Sequence, residues 1–248
     1  MTLEQFFSEN REVAVAFSGG VDSAYLLYAA KRYAARVKAY YVSTAFQPAF
    51  ELEDARRLAN ELGTDMQVLH VDVLMSGAVV ANPPDRCYHC KNTLFRQILR
   101  AAENDGFPVL LDGTNASDDA GDRPGMRALR ELSVRSPLRE CGLTKAEIRR
   151  LSREAGLFTW DKPAYACLAT RIRTGEEITL QKLKQTEKAE GFLFGLGFRD
   201  FRVRMVGNTA KLELREADLP LLLENREKIV TELRKDYDSV LLNLEVRK

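Results

Sequence analysis

Short apolar runs and amphipathic stretches alternate along the first two thirds of the chain. Runs rich in β-branched residues predict buried parallel strands, and apolar residues three or four positions apart predict helices. The predicted strands cover residues 12–17, 37–42, 66–73, 108–111 and 132–136. The predicted helices cover residues 2–8, 22–33, 52–62, 91–104 and 144–156. This alternation implies βαβ crossovers and an α/β fold with a parallel sheet covered by helices on both faces.

The pattern changes after Gly175. The remaining sequence predicts a helix over 179–196, a hairpin of strands 201–205 and 210–214, a helix over 219–233 and a strand over 240–246. Gly207-Asn208 suits the hairpin turn. We therefore expect two domains, an α/β domain of residues 1–175 and a small α+β domain of residues 176–248.

A glycine-rich turn joins the first predicted strand to the helix that follows. It reads Ser18-Gly19-Gly20-Val21-Asp22-Ser23. Glycine allows a ligand to approach the backbone closely, and the first N–H groups of a helix favour an anion such as pyrophosphate. Ser18 and Ser23 add hydroxyl donors, and Asp22 is suited to hold Mg²⁺ beside the phosphates. The alternative is a capped turn that binds no ligand.

The hexapeptide resembles the SGGxDS signature of the PP-loop ATP pyrophosphatases and lacks the Walker and dinucleotide-binding patterns. That family cleaves ATP between the α and β phosphates, adenylates a substrate oxygen and releases pyrophosphate. The resemblance implies that residues 18–23 bind ATP with Mg²⁺, and that the α/β domain has the PP-loop ATP pyrophosphatase fold.

Two further stretches follow predicted strands of the same sheet. Thr44 follows the second strand, and Asp112-Gly113-Thr114-Asn115-Ala116-Ser117-Asp118 follows the fourth. Ligands of parallel α/β sheets bind beyond the carboxyl ends of the strands, so we expect Thr44, Gly113, Thr114 and Asn115 to bind ATP. The second stretch also suits a simple Asx turn before a helix.

Composition and charge restrict the class of protein. The chain has 248 residues, of which 45% are hydrophobic and 29% charged, and its net charge is +1. These values are typical of a globular protein. We expect a cytoplasmic protein that does not bind a membrane, because no apolar run has membrane-spanning length and no leader is recognisable. The near-neutral charge argues against nonspecific nucleic-acid binding.

The cysteines indicate further chemistry. Cys87-Tyr88-His89-Cys90 precedes a predicted helix, and Arg86 and Lys91 flank it. The pair suits a redox dithiol, half of a zinc site, part of an iron–sulfur cluster, or two thiols without a ligand. Zinc is disfavoured because there is no second C-x-x-C and no paired histidine.

The two remaining cysteines stand alone in sequence. Cys167 has small apolar neighbours, which suits a buried structural role. However, Lys162, Arg171 and Arg173 are near enough in sequence to stabilise a reactive thiolate. Cys141 lacks such a setting, and we interpret it as structural.

Five arginines lie between residues 123 and 139, namely Arg123, Arg127, Arg130, Arg135 and Arg139. Such spacing usually marks a solvated face, although arginine is also the natural ligand for a phosphate-bearing substrate.

Several stretches together resemble the ATP-dependent sulfur transferases of the LarE type, which act in nickel-pincer nucleotide cofactor synthesis. These are SGGVDS, RCYHCK, DGTNASD, SPLR and WDKPAYACLATRI, in this order over nearly the whole chain. The resemblance implies that the enzyme adenylates a carboxylate of a pyridinium dicarboxylate mononucleotide and converts it to a thiocarboxylate. It also implies that Cys167 and Asp22 are catalytic, and that Arg139 and Arg171 bind the substrate. We further expect a homo-oligomer.

The source of the sulfur is open at this point. In relatives with a single cysteine, the residue that matches Cys167 gives up its own sulfur. This chain also has Cys87 and Cys90, and relatives with all three are thought to bind a [4Fe–4S] cluster that carries a sulfide. We favour the cluster. The alternative functions are a PP-loop amidating ligase, a tRNA-thiolating enzyme and a nucleotide-binding regulator without catalytic activity.

Overall fold

The computed structural model describes residues 1–118 and 124–247. These residues form two compact units. The first comprises Met1–Val73 with Asp85–Ala164, and the second comprises Leu74–Pro84 with Tyr165–Lys248. Both units are therefore discontinuous in sequence, because Leu74–Pro84 belongs to the second unit and lies between the two segments of the first. A domain boundary at residue 175 stays a prediction.

The strands and helices are numbered in chain order. The strands are β1 Glu12–Ala16, β2 Arg36–Ser43, β3 Met66–His70, β4 Val109–Leu111, β5 Arg202–Val206, β6 Thr209–Glu213 and β7 Ser239–Leu242. The helices are α1 Leu3–Glu9, α2 Val21–Tyr33, α3 Ala49–Glu61, α4 Gly77–Val80, α5 Arg86–Asn104, α6 Pro124–Glu131, α7 Pro137–Glu140, α8 Lys145–Glu154, α9 Leu180–Gly195, α10 Leu219–Glu224 and α11 Arg226–Leu233.

The first unit contains a parallel sheet in the order β3-β2-β1-β4. Successive residues of β1 face opposite sides: Val13 and Val15 belong to one core cluster, and Ala14 belongs to another. The first cluster includes residues of α1, α2, α3 and α8, and the second includes Ile98 and Ala102 of α5. Helices thus cover both faces, and the predicted α/β fold is confirmed.

The strand order places two loops side by side. From β1 the chain moves to β2 on one side, and it later returns to β4 on the other side of β1. Such a reversal opens a crevice beyond the carboxyl ends of the two strands. The predicted fifth strand is reduced to one parallel bridge between Leu111 and Arg135.

The second unit contains a small sheet in the order β5-β6-β7. β5 and β6 form the predicted antiparallel hairpin, and Gly207 adopts a φ of 58° in its turn. The helix predicted over 219–233 is divided at Asn225, whose side-chain amide donates to Leu221 O at 3.0 Å. No helix among the described residues is long and apolar enough to cross a membrane.

Two helices, α1 and α8, begin at the N-cap residues that the sequence predicts. The hydroxyls of Thr2 and Thr144 accept from the backbone N–H groups of Gln5 and Glu147, and both are complete capping boxes. By contrast, α5 begins at Arg86 and not near residue 91. The C-x-x-C motif therefore forms the first turn of this helix and does not precede it.

Candidate active site

A cavity of about 330 Å³ lies in the first unit, beyond the carboxyl ends of β1 and β4. Its polar wall combines the loop after β1 with the loop after β4, and its apolar lining comes from the ends of β1 and β2 and from α5. The two loops contribute Ser18, Gly20, Asp22, Ser23, Asp112, Gly113, Thr114 and Asp118 to the lining. The apolar wall includes Leu94, Phe95 and Ile98. This combination suits a nucleotide with a planar base and charged phosphates.

The loop after β1 is shaped by glycine. Gly19 has a φ of 72°, and a Cβ atom there would lie 3.2 Å from both Ala55 Cβ and Glu51 O. Gly20 is the N-cap of α2, and no side chain caps the helix. The first N–H groups of α2 are therefore not satisfied by a capping side chain, as an anion site requires. This arrangement argues against a simple capped turn.

Hydrogen bonds of Ser18 and Ser23 connect the two ends of the loop after β1. The Ser18 N–H donates to Ser23 Oγ at 3.3 Å, and the Ser23 hydroxyl donates to Gly20 O at 3.2 Å. The two hydroxyl oxygens lie 3.1 Å apart. Val21 is buried in the core and anchors the start of α2. The loop is thus held in shape by its own side chains.

The loop after β4 packs directly against this turn. A Cβ atom on Gly113 would lie 2.9 Å from Ser23 N and 3.1 Å from Ser23 Cα, so only glycine fits without a shift of the backbone. Gly113 and Thr114 line the cavity, whereas Asn115 does not.

Asn115 instead forms the Asx turn that the sequence offered as an alternative. It is 3% exposed, and its Oδ1 accepts from the Ser117 N–H at 2.8 Å. Both carboxylate oxygens of Asp112 accept hydrogen bonds within the protein. Ser136 Oγ donates to Oδ1 at 2.6 Å, and the Thr114 hydroxyl donates to Oδ2. The stretch therefore contains both an Asx turn, at Asn115, and two residues that line the cavity, Gly113 and Thr114. Binding of ATP by these three residues stays a prediction.

Asp22 is paired with a residue that sequence reasoning missed. Lys145, the first residue of α8, places Nζ 2.6 Å from Asp22 Oδ2. The Lys145 N–H also donates to Ser117 Oγ at 2.9 Å. Lys145 thus joins both loops of the cavity. The only sequence signal was the helix start at Thr144, which does not indicate where the ammonium group lies.

The second oxygen of Asp22 fits a magnesium ion. Asp22 Oδ1 is buried and has no hydrogen-bond partner among the described residues. A buried carboxylate oxygen without a partner is costly, and a divalent cation held with phosphate oxygens would satisfy it. The residues present therefore fit Mg²⁺ at this position.

Thr44 does not line the main cavity. Its hydroxyl donates to Gln47 Oε1 at 2.7 Å and accepts from the Phe46 N–H at 3.0 Å. It lines a separate concavity that includes His70 and Asp72. Gln47, which the sequence did not single out, lines the main cavity instead. An ATP-binding role for Thr44 stays a prediction.

Cys87 and Cys90 share one side of the first turn of α5, because helical residues three positions apart are neighbours. Cys87 is exposed, Cys90 is half-buried, and Arg86 Nη2 lies 3.8 Å from Cys87 Sγ. Lys91, the next residue, lines the cavity. The two thiols suit two ligands of one metal centre. No group of three or more His, Cys, Asp or Glu side chains is arranged to hold a metal ion within the described residues.

Cys167 lies in the second unit, as the N-cap of a short 3₁₀ turn over Leu168–Arg171. It is half-buried. Arg171 is 1% exposed and pairs with Glu190 through Nε–Oε1 at 2.7 Å and Nη2–Oε2 at 3.0 Å. Burial disfavours the charge of Arg171, but the hydrogen bonds and charge of Glu190 outweigh it and raise the pKa of Arg171.

The Arg171–Glu190 pair organises the loop that carries Cys167. Arg171 Nη1 donates to Ala166 O at 3.0 Å, and the Tyr165 hydroxyl donates to Glu190. Burial and then the charge of Glu190 raise the pKa of Tyr165, so the hydroxyl stays protonated. The predicted substrate-binding role of Arg171 is not favoured by this burial, and it stays a prediction.

The other predicted arginines have varied settings. Arg139 Nη2 donates to the backbone oxygen of Asp118, a cavity-lining residue, at 3.2 Å. Arg135 pairs with Glu140, and Arg127 stacks 4.0 Å from the ring centroid of Tyr88. Arg123 lies outside the described residues. Of the group, Arg139 remains the candidate for substrate binding.

Cys141 packs against the first core cluster, and burial raises the pKa of its thiol. Both observations agree with the structural role that the sequence suggests for it.

The parallel sheet, the glycine turn before α2 and the facing loop after β4 define a nucleotide-binding protein of the PP-loop class. The model of the asparagine synthase family matches residues 4–118. The chain is 26% identical to the tRNA-specific 2-thiouridylase of Thermotoga petrophila over 59% of this chain and 52% of that protein.

Two relatives extend over nearly the whole chain. An uncharacterised protein of Synechocystis is 39% identical over 86% of this chain and 80% of its own length. The pyridinium-3,5-bisthiocarboxylic acid mononucleotide synthase of Lactiplantibacillus plantarum is 32% identical over 94% of this chain and 85% of its own length. The chain belongs to the LarE-type family of PP-loop sulfur transferases, and it is an ATP-using enzyme.

Proposed function

We propose that this protein is an ATP-dependent sulfur transferase that converts a carboxylate of a pyridinium dicarboxylate mononucleotide into a thiocarboxylate, in nickel-pincer nucleotide cofactor synthesis. The observation that carries the proposal is the likeness to the synthase of Lactiplantibacillus plantarum over 94% of the chain, which includes the second unit as well as the ATP-binding one.

The first step is adenylation. A carboxylate oxygen of the substrate attacks the α-phosphorus of ATP, the bond between the α-phosphorus and the bridging oxygen breaks, and pyrophosphate leaves. In the proposal, the N–H groups at the start of α2 and the hydroxyls of Ser18 and Ser23 bind the leaving pyrophosphate. Gly113 and Thr114 bind ATP from the opposite wall of the cavity. Support comes from the uncapped start of α2 and from the shared cavity.

Asp22 and Lys145 provide the charges around the phosphates. Asp22 would hold Mg²⁺ through its buried Oδ1, and the ion supplies positive charge for the phosphate oxygens when it is bound. Lys145 lies 2.6 Å from the other oxygen of Asp22, and its ammonium group is available to the negative charge that develops during adenylation.

The second step is sulfur transfer. A sulfur nucleophile attacks the carbonyl carbon of the acyl adenylate, and AMP leaves with the electrons of the carbon–oxygen bond. We infer that Cys87, Cys90 and Cys167 together hold a [4Fe–4S] cluster, which would supply sulfide that can be replaced. The donor set supports this inference, since three thiolates suit such a cluster, and two of them share the first turn of α5.

The spectrum of the protein tests the cluster. Anaerobic purification should yield a brown protein that contains iron and sulfide, and Cys87→Ala should lose the visible absorbance. Cys141→Ala is the matched control, because this cysteine packs against the core and should leave the absorbance unchanged. A colourless, iron-free protein after reconstitution would contradict the cluster.

Intact mass identifies the sulfur source and the function. In the self-sacrificing reaction, the Cβ–S bond of Cys167 breaks, a base takes the Cα proton, and dehydroalanine remains. The protein then loses the elements of H₂S. Thiocarboxylate formation with an unchanged protein mass supports the cluster. Absence of product together with salt-sensitive tRNA retention would favour the tRNA-thiolating alternative, which the likeness to the 2-thiouridylase raises.

A further inference from the structure

Lys162 lies near the end of the first unit, five residues before Cys167 in sequence. Its side chain is 15% exposed, and its Nζ lies 2.6 Å from Asp54 Oδ2. The same ammonium group donates to Gly19 O at 3.3 Å. The sequence suggests Lys162 as a cation for the Cys167 thiolate, but in the structure its charge is directed to α3 and to the ATP loop.

The backbone around Lys162 is held by a second residue of the same unit. Arg149 of α8 donates from Nη1 to Trp160 O at 2.6 Å and from Nη2 to Lys162 O at 2.9 Å. The short segment 160–162 is therefore held through four acceptor groups: its own carbonyls at Trp160 and Lys162, the Asp54 carboxylate and the Gly19 carbonyl. A segment without regular secondary structure has no ladder of its own to keep it in place, so these side chains set its position.

The contact with Gly19 reaches the nucleotide site through one peptide group. The Gly19 carbonyl and the Gly20 N–H belong to the same planar peptide and point in opposite directions. Gly20 lines the cavity, whereas Gly19 does not. Lys162 therefore contacts the carbonyl side of a peptide whose other residue, Gly20, lines the cavity. A ligand that fixes the Gly20 N–H also fixes the acceptor of Lys162.

We propose that Lys162 is a positioning residue that fastens the chain segment leading to Cys167 to the ATP loop, so that a bound nucleotide restricts the movement of Cys167. The inference rests on the proposed function, in which Cys167 takes part in sulfur transfer. The five residue-to-residue steps from Lys162 to Cys167 span at most about 18 Å. Loss of the anchor would leave adenylation largely intact and would slow the step that needs Cys167.

The test separates the two steps of the reaction. In Lys162→Met, pyrophosphate release with ATP, Mg²⁺ and the pyridinium dicarboxylate mononucleotide should stay within about threefold of wild type. The single-turnover rate of thiocarboxylate formation should fall by tenfold to about a hundredfold, as expected when a reacting group is misplaced. Asp54→Asn weakens the same ion pair from the other side, so it should also slow thiocarboxylate formation and leave pyrophosphate release nearly unchanged. Lys162→Arg should restore part of the rate of thiocarboxylate formation.

The matched control is Lys31→Met. Lys31 Nζ also donates to a glycine carbonyl, Gly63 O at 2.8 Å, but on the exposed surface. This variant should behave as wild type in both steps. Equal losses in both steps for Lys162→Met would overturn the inference, because they indicate a general effect on folding or on nucleotide binding. Unchanged rates would overturn it as well.

A second measurement does not depend on sulfur transfer. In wild type, a nonhydrolysable ATP analogue with Mg²⁺ should slow amide hydrogen exchange over residues 159–167, and in Lys162→Met this protection should be absent. Equal protection in both proteins would overturn the inference. A wild-type protein that makes no thiocarboxylate would contradict the proposed function alone, since the exchange experiment still decides on the anchor.

Discussion

The contact between Gly113 and the start of α2 gives the sharpest perturbation of the ATP site. In Gly113→Ala, the new Cβ atom would lie 2.9 Å from Ser23 N and 3.1 Å from Ser23 Cα. Both atoms belong to the backbone, so no side-chain rotation relieves the clash. Either the loop after β4 or the first turn of α2 has to move.

The size of the effect follows from these distances. Ordinary contacts of a Cβ atom begin near 3.4 Å, so the backbone has to separate by several tenths of an ångström. Overpacking of this kind costs about 1–3 kcal/mol of unfolding free energy. The same movement separates the two cavity walls to which we assign nucleotide binding. If about 1.4 kcal/mol of the cost falls on binding, the affinity for Mg-ATP decreases tenfold.

Calorimetric titration with a nonhydrolysable ATP analogue and Mg²⁺ measures the affinity, and denaturant unfolding measures the stability. Gly191→Ala is the control, since a Cβ atom on this glycine of α9 has no neighbour within 4 Å. Alanine is favoured over glycine inside a helix by about 0.5–1 kcal/mol, so this variant should gain stability. Wild-type stability and affinity in Gly113→Ala would refute the proposed packing of the two loops.

Two further predictions concern charged pairs. Lys145→Met should slow pyrophosphate release by about a hundredfold, because the cation beside the proposed magnesium ligand Asp22 is lost, and Lys145→Arg should recover part of the rate. A wild-type rate in the methionine variant would exclude a role in adenylation. Glu190→Gln leaves the buried guanidinium of Arg171 without its counter-charge and should cost about 3–5 kcal/mol in denaturant unfolding. Tyr165→Phe removes one hydrogen bond to Glu190 and should cost about 1 kcal/mol, and similar losses for the two variants would contradict the ion pair as the dominant contribution.

The regular part of the fold is predictable because its signals are local. Alternation of Val13, Ala14 and Val15 between two cores follows from the period of a strand, and the capping box at Thr144 is visible as a spacing of three residues. The predicted bounds of a helix are wrong where its terminal turn lacks the apolar periodicity of the rest. The apolar period of α5 becomes clear only after Lys91, so the sequence places the polar first turn with the two cysteines before the helix.

The site is predictable only as far as its residues are contiguous. The turn after β1 and the loop after β4 are each predictable from glycine and hydroxyl residues that directly follow a strand. The pairing of Lys145 with Asp22 joins positions 123 residues apart, and that of Lys162 with Gly19 joins positions 143 residues apart. Lys145 has no sequence setting that distinguishes it from a solvated lysine, and the setting of Lys162 suggests Cys167 as its partner and not Gly19.

Arg171 shows why position next to a reactive residue is a weak guide to role. Beside Cys167 in sequence, it suggests a cation for a thiolate or for a substrate phosphate. Its partner Glu190 comes from α9, where the surrounding lysines and glutamates indicate an exposed face, yet Glu190 is 1% exposed. A buried carboxylate requires a cation, and Arg171 is the cation whose two nitrogens reach both of its oxygens. The pair therefore holds the Cys167 loop through the backbone of Ala166. We predict that sulfur transfer at Cys167 requires this glutamate, which the sequence gives no reason to select.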